Sequence, residues 1–151
     1  MTGSLALLAI PHSEAANTII ADALKAGVNP DYLYPGTSSV QQNGKGLLPV
    51  YIDSDAYNDP SWPYRGSTQL TYNRVDLNEA LGHLNLTLKV TRTFTSAQLV
   101  AKLASILQLY FEAGDYVAET RTLNTASAVY TLKAAADSPR WAGQLQIHVH
   151  L

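Results

Sequence analysis

His148 and His150 stand two residues apart near the end of this 151-residue chain, in the stretch "QLQIHVHL". On a strand they would project from one face, and two imidazoles at that spacing can chelate zinc or copper. Two ligands are too few, because a structural zinc takes four and a catalytic zinc three. The other histidines, His12 and His83, belong to separate segments, and there is no cysteine to complete a set. The reading is therefore no metal, with Gln144, Gln146, His148 and His150 as the polar side of an edge or interface strand. Asp53, Asp55 and Asp59 in "DSDAYND" invite calcium. Counted from Asp53, however, the EF-hand pattern fails: Asn58 stands where the turn needs glycine and Tyr64 where a bidentate glutamate belongs. A solvated turn is expected there, with an irregular cation site as the alternative. Arg74 and Asp76 lie near a strand end, where enzymes do place reacting groups. Asp76 already has a structural task as a helix N-cap, and one arginine with no base or nucleophile defines no reaction. A scaffold corner is expected, with Arg74 as an internal anchor or an interface contact. No G-x-S-x-G context surrounds a serine and no glycine loop suits a phosphate, so the chain is expected not to be an enzyme and to use no cofactor.

The elements that must position these side chains belong to one domain by length, residues 1–151. Hydrophobic residues make up 46% of the chain and charged ones only 15%, against roughly 25% charged in an average soluble domain. Ten Lys and Arg against twelve Asp and Glu give a net charge of −2. That balance, without a basic run, supplies none of the field that draws proteins to nucleic acid or anionic lipid. The run "LALLAI" lacks a basic flank and is too short to span a bilayer, so a soluble, unprocessed protein is expected.

A helix is expected over about 13–26, capped by Ser13 and closed by Gly27. Residues 29–47 show no periodicity and hold two prolines and three glycines. They read as a long loop, mobile in the isolated chain, that docks on a neighbour. The body, 48–151, begins with a strand at 48–53. In "STQLTYNRVDL" the alternation slips near Asn73 and Arg74, so a strand bends or ends there. Asp76 with Glu79 has the form of a capping box, and Gly82 closes the short helix that follows. Leu84, Leu86, Leu88 and Val90 alternate with polar residues and predict an interior strand. Thr95 and Gln98 form a second capping box, stapled by Phe94 and Leu99. From there Leu99, Leu103, Ile106, Leu107 and Tyr110 line one face of a main helix, about 95–113. Strands at 128–134 and at the C-terminus complete an α+β domain: a mostly antiparallel sheet of about four to six strands with that helix on one face.

Two of these segments carry a resemblance. "GSTQLTYNRVDL" and "SPRWAG" resemble a family of small virion structural domains of large tailed bacteriophages, which pair a G-S-x-x-x-x-Y-N-R-x-D-L strand with a C-terminal S-x-R-W-x-G strand. The matching residues are Gly66, Ser67, Tyr72, Asn73, Arg74, Asp76 and Leu77, then Ser138, Arg140, Trp141 and Gly143. Pro139 stands where the pattern has an apolar residue. The resemblance covers about residues 49–151. It implies a non-enzymatic subunit of the virion (tail, neck or capsid-associated), found in the particle and, during assembly, in the host cytoplasm. Its partners would be other virion proteins and copies of itself, with no nucleic acid and no membrane. Nine tyrosines and two tryptophans suit such a subunit, because they give large amphipathic contact areas. The expected partner contacts are Tyr32, Tyr34, Val40, Trp62, Tyr64, Arg74, His148 and His150. The alternative is a carbohydrate- or receptor-binding module that uses the aromatic segment 57–64.

Overall fold

The computed structural model describes residues 33–52 and 67–151. The expected helix at 13–26, the three aspartates 53, 55 and 59, the segment 57–64, Tyr32, Trp62 and Tyr64 lie outside those residues. The protein is a mixed α+β structure, mostly strands in open sheets, with two α-helices among the described residues.

The first sheet joins the strand expected at 48–53 and the one expected before Asn73 to two short strands inside the segment expected as a loop, 29–47. Strands β1 (Leu33–Pro35) and β2 (Ser39–Val40) pair in succession with one edge of β3 (Gly46–Ile52). Strand β4 (Ser67–Tyr72) takes the other edge. All pairs are antiparallel. Asn43 and Gly44 explain the correction: Gly44 N–H bonds the Gln41 carbonyl at 2.9 Å, Gln41 N–H bonds Lys45 O at 2.9 Å, and Gly44 holds φ +80°. That is a tight turn ending in a left-handed glycine, which the Asn-Gly dipeptide favours. The break between β1 and β2 has its own cause. Leu33 opposes Ile52 while Ser39 opposes Leu47, a slip of one residue. Between them Gly36 donates to the carbonyl of Pro49 at 2.8 Å. Pro49 offers no N–H on that side, so the facing strand bulges around the missing donor. Gly36 fits there because a Cβ would meet the Tyr51 ring at 2.7 Å.

The slip in the alternation at Asn73 and Arg74 marks a change of sheet. After β4 the chain starts β5 (Val75–Asp76), which pairs in parallel with β10 (Trp141–Ala142). Helix α1 (Leu77–Leu81) follows, with Asp76 Oδ1 accepting from the N–H groups of Asn78 at 2.9 Å and Glu79 at 3.1 Å. Gly82 does not close it with a left-handed residue; the chain tightens into a 3-10 turn and Asn85 turns left-handed at φ 48°.

The C-terminal sheet runs β6 (Thr87–Lys89), β11 (Gln144–His150), β9 (Ser127–Lys133), with β6 parallel and β9 antiparallel to β11. The terminal strand, expected at an edge or interface, is thus the central one, and the segment expected as interior is outermost. A separate pair joins β7 (Thr93–Thr95) to β8 (Thr120–Thr122). In place of one sheet of four to six strands, the described residues form sheets of four, two, three and two.

Helix α2 (Ser96–Leu107) starts as its sequence specifies, with Thr95 and Gln98 capping each other's backbone. It stops at Gln108, left-handed at φ 52°, well before 113. Leu99, Val100 and Leu103 are buried, whereas Ile106 is 61% exposed and Tyr110 lies beyond the helix. The buried stripe joins Leu145, Ile147 and Val149 of β11, Tyr130 and Leu132 of β9, Leu77 and Leu81 of α1, Phe94 and Trp141 in one core. Each buried Leu or Ile contributes about 1.5–3 kcal/mol.

Tyr130 makes that core sensitive to alkali. Its hydroxyl donates to Glu119 Oε1 at 2.7 Å and its ring meets Phe94 edge-on at 5.4 Å. Burial, then the bond to Glu119, push its phenol well above the ordinary tyrosine range. Burial also raises the Tyr72 phenol, against a smaller opposite effect of its hydrogen bond with Ser38. Both shifts favour the neutral phenol in the folded state. Their stabilisation is complete below the unfolded value of about 10 and is lost as pH rises through the higher folded values. The urea midpoint should fall between about pH 9 and about pH 11, and the fall should be shallower for Tyr130→Phe. Equal slopes for the two proteins would remove Tyr130 from the explanation.

Candidate functional site

Strands β5 and β10 lie side by side, so the two segments singled out in the sequence form one joint. Val75 N–H donates to the Arg140 carbonyl at 2.7 Å, and Val75 and Ala142 sit in register with Trp141 and Asp76. Arg74 fastens the joint from outside the ladder. Its Nε donates to Gly44 O at 2.8 Å, and its Nη1 lies 3.2, 3.1 and 3.0 Å from the carbonyls of Ala136, Ser138 and Trp141. One guanidinium thereby ties the 41–44 turn of the first sheet to the 136–141 segment, a task its fixed fork of donors suits. Tyr72 repeats the connection, donating from its hydroxyl to Pro139 O at 2.7 Å while its ring covers Gly46. Gly143 follows β10 at φ +74°, and an added Cβ would collide with the Asp76 carboxylate. Asp76 is held there by its two cap bonds, so glycine is required both by backbone conformation and by space.

Beneath the joint lies a buried polar cluster. Ser138, Arg140 and Asp115 are each no more than 2% exposed. Ser138 Oγ donates to Asp115 Oδ1 at 2.7 Å and accepts from Trp141 N–H at 3.0 Å. Asp115 Oδ2 accepts from the Glu112 N–H at 2.7 Å. Burial pulls the Arg140 guanidinium below its ordinary range, while Asp115 and then Glu112 oppose that shift. Trp141 stacks on Phe111 with centroids 4.6 Å apart, and its buried indole N–H meets no acceptor among the described residues. Asp115, Ser138 and Tyr72 were not read as site residues from the sequence. The serine and the tyrosine stood inside the two motifs, but nothing near Asp115 marks it, because its partners are Ser138, 23 residues away, the charge of Arg140 just beyond it, and an amide of its own turn.

Of the charged groups in the two motifs, Arg74 meets backbone carbonyls, Asp76 meets backbone amides, and Arg140 meets the Tyr110 carbonyl beside the charge of Asp115. A family of unknown function, DUF7941, has a model that matches residues 50–151, about two thirds of the chain. The chain belongs to that family. No curated protein and no solved structure matches it. The DUF7941 region contains both strands of the joint, Arg74 and the buried cluster, while the 41–44 turn that Arg74 reaches precedes it.

The other expected contacts are dispersed. Tyr34 in β1 opposes Tyr51, and half-buried Val40 in β2 opposes Gly46. His148 and His150 lie on the open face of the C-terminal sheet of the DUF7941 region, His148 between Thr87 and Val129, His150 between Lys89 and Ser127. Among the described residues no three His, Asp or Glu side chains converge as a metal set. A groove of about 530 Å³ borders the joint, lined by Asp76, Asn78, Glu79, Gly143, Gln144 and Gln146. Among the described residues no helix is long and apolar enough to cross a membrane.

Proposed function

We propose that the protein is a non-enzymatic structural subunit of a bacteriophage virion, acting through contacts with other virion proteins and with copies of itself. The observation that carries this reading is the joint. Arg74, Asp76, Asp115 and Arg140, the charged groups gathered at the joint, are held in the scaffold by the chain's own backbone, by Ser138 and, for Arg140, by the charge of Asp115. The resemblance of the YNRxDL and SxRWxG segments to virion domains agrees with such a role. An open sheet face that carries His148 and His150 provides a surface for neighbours. Tyr32, Trp62 and Tyr64 would add further contacts, and the particle is the expected location.

The test is fractionation. The chain should co-sediment with intact, nuclease-treated particles in a fixed ratio to the major capsid or tail protein, and should withstand a salt wash. Recovery only as free protein would overturn the reading. Specific glycan binding abolished by Trp62→Ala would establish the binding module instead.

A further inference from the structure

We infer that the open face of the β6-β11-β9 sheet is a self-complementary surface, and that its occupant is the same face of a second copy. The inference rests on the reading of the protein as a repeating subunit and names one of its contacts. Leu145, Ile147 and Val149 turn into the core, so Gln144, Gln146, His148 and His150 all point the other way, and the first three are exposed. Beside them stand Lys89 of β6 and, on β9, Val129, 47% exposed, and the exposed Lys133, the register partner of Gln144.

The charges on this face are arranged in a specific way. Strand β9 occupies one edge of β11 over its whole length. The opposite edge is shared: β6 pairs only with His148, Val149 and His150, and α1 borders the groove beside Gln144 and Gln146. Along that single edge, Glu79 therefore sits near the start of β11 and Lys89 near its end, about 15 Å apart at the rise of a strand. A two-fold axis between two such faces, crossing the strands near Ile147, reverses the strand direction and leaves each edge over its counterpart. It sets Lys89 of each copy against Glu79 of the other and His148 against Gln146, so every favourable pair occurs twice. Lys133, level with Gln144 on the β9 edge, then meets Ser127 of the other copy, so no lysine faces a lysine. Charge complementarity thus favours a two-fold pair of this chain over a partner of uniform charge.

The face measures about 20 by 15 Å, or about 600 Å² over two copies, well below the ~1,200 Å² of a stable interface. The contact is therefore weak on its own and is reinforced where several contacts act together in an assembly.

The experiment is a charge swap read by backbone amide NMR of the full chain. Between ~0.05 and ~1 mM the wild type should show concentration-dependent shifts confined to β6, β9, β11 and α1. Lys89→Glu alone and Glu79→Lys alone should each abolish them, and the double variant should restore them. Dispersed spectra and unchanged melting temperatures would show that each variant folds. Absence of any concentration dependence, shifts on another surface, or a double variant that fails to recover would overturn the proposal. A chain that shows none of these shifts yet still co-sediments with particles would leave the structural reading intact and dismiss this contact alone.

Discussion

Asp115→Ala should lower stability by about 3–5 kcal/mol, the usual cost of removing one partner of a buried ionic group. The side chain is 2% exposed and answers three demands together: the Ser138 hydroxyl, the Glu112 N–H and the charge of Arg140. Truncation would leave the guanidinium, itself 1% exposed, beside a void where its largest counter-charge had stood. In a chain of this size each kcal/mol moves the melting temperature by about 2–4 °C, so a fall of more than about 6 °C is expected. A double-mutant cycle with Arg140→Met identifies the cause. If the penalty is an uncompensated charge, removing that charge recovers part of it, and the two single losses should exceed the double loss by about 1–3 kcal/mol. Additive losses, or a loss below about 1 kcal/mol, would mean that water satisfies Arg140 once Asp115 is gone.

The second large effect is expected at Arg74. In Arg74→Ala four carbonyls, those of Gly44, Ala136, Ser138 and Trp141, lose their donor. Arg74 is only half-buried, so water would replace part of what is removed. About 3 kcal/mol is the expected loss for charged hydrogen bonds in such a setting, or about 6–12 °C in melting temperature. Arg74→Lys should recover little, because a single ammonium cannot serve both the Nε acceptor in the 41–44 turn and the three Nη1 acceptors around 136–141. Hydrogen exchange should localise the damage, with faster exchange at Gln41 and Gly44, whose N–H groups close the turn. A melting temperature within about 2 °C of the wild type would show that the turn and the 136–141 segment hold together without the clamp.

Arg74 also shows how far its own sequence could be read. That a corner lies at Asn73 and Arg74 was legible, because the period-two alternation breaks there, and a break in period is a local signal. What Arg74 bonds was not legible, because its acceptors lie 30 and 62 to 67 residues away and are backbone carbonyls, which carry no residue type. The first sheet is a different case. Asn43-Gly44 was a readable turn signal before the strand that was read from residue 48, but the bulge at Gly36, opposite Pro49, breaks the partner segment into two pieces too short to show a period.

The sequence by itself determined the features whose bonds close within a few residues. Among these are the Thr95 and Gln98 capping box, the Asp76 cap on the N–H groups of Asn78 and Glu79, and the inward face of β11 through Leu145, Ile147 and Val149. Only the tertiary structure decided how those pieces are arranged. Alternation states which side of a strand is apolar and says nothing about which segments bond its two edges. The strand bearing His148 and His150 could therefore be read as an edge, although β6 and β9 make it the centre of its sheet. Likewise apolar spacing continues past Leu107 to Tyr110, yet the helix ends at Gln108 without a glycine. Periodicity records which residues could share a face, whereas the end of α2 is set by where the chain must turn so that Phe111 stacks on Trp141 and Asp115 meets Ser138.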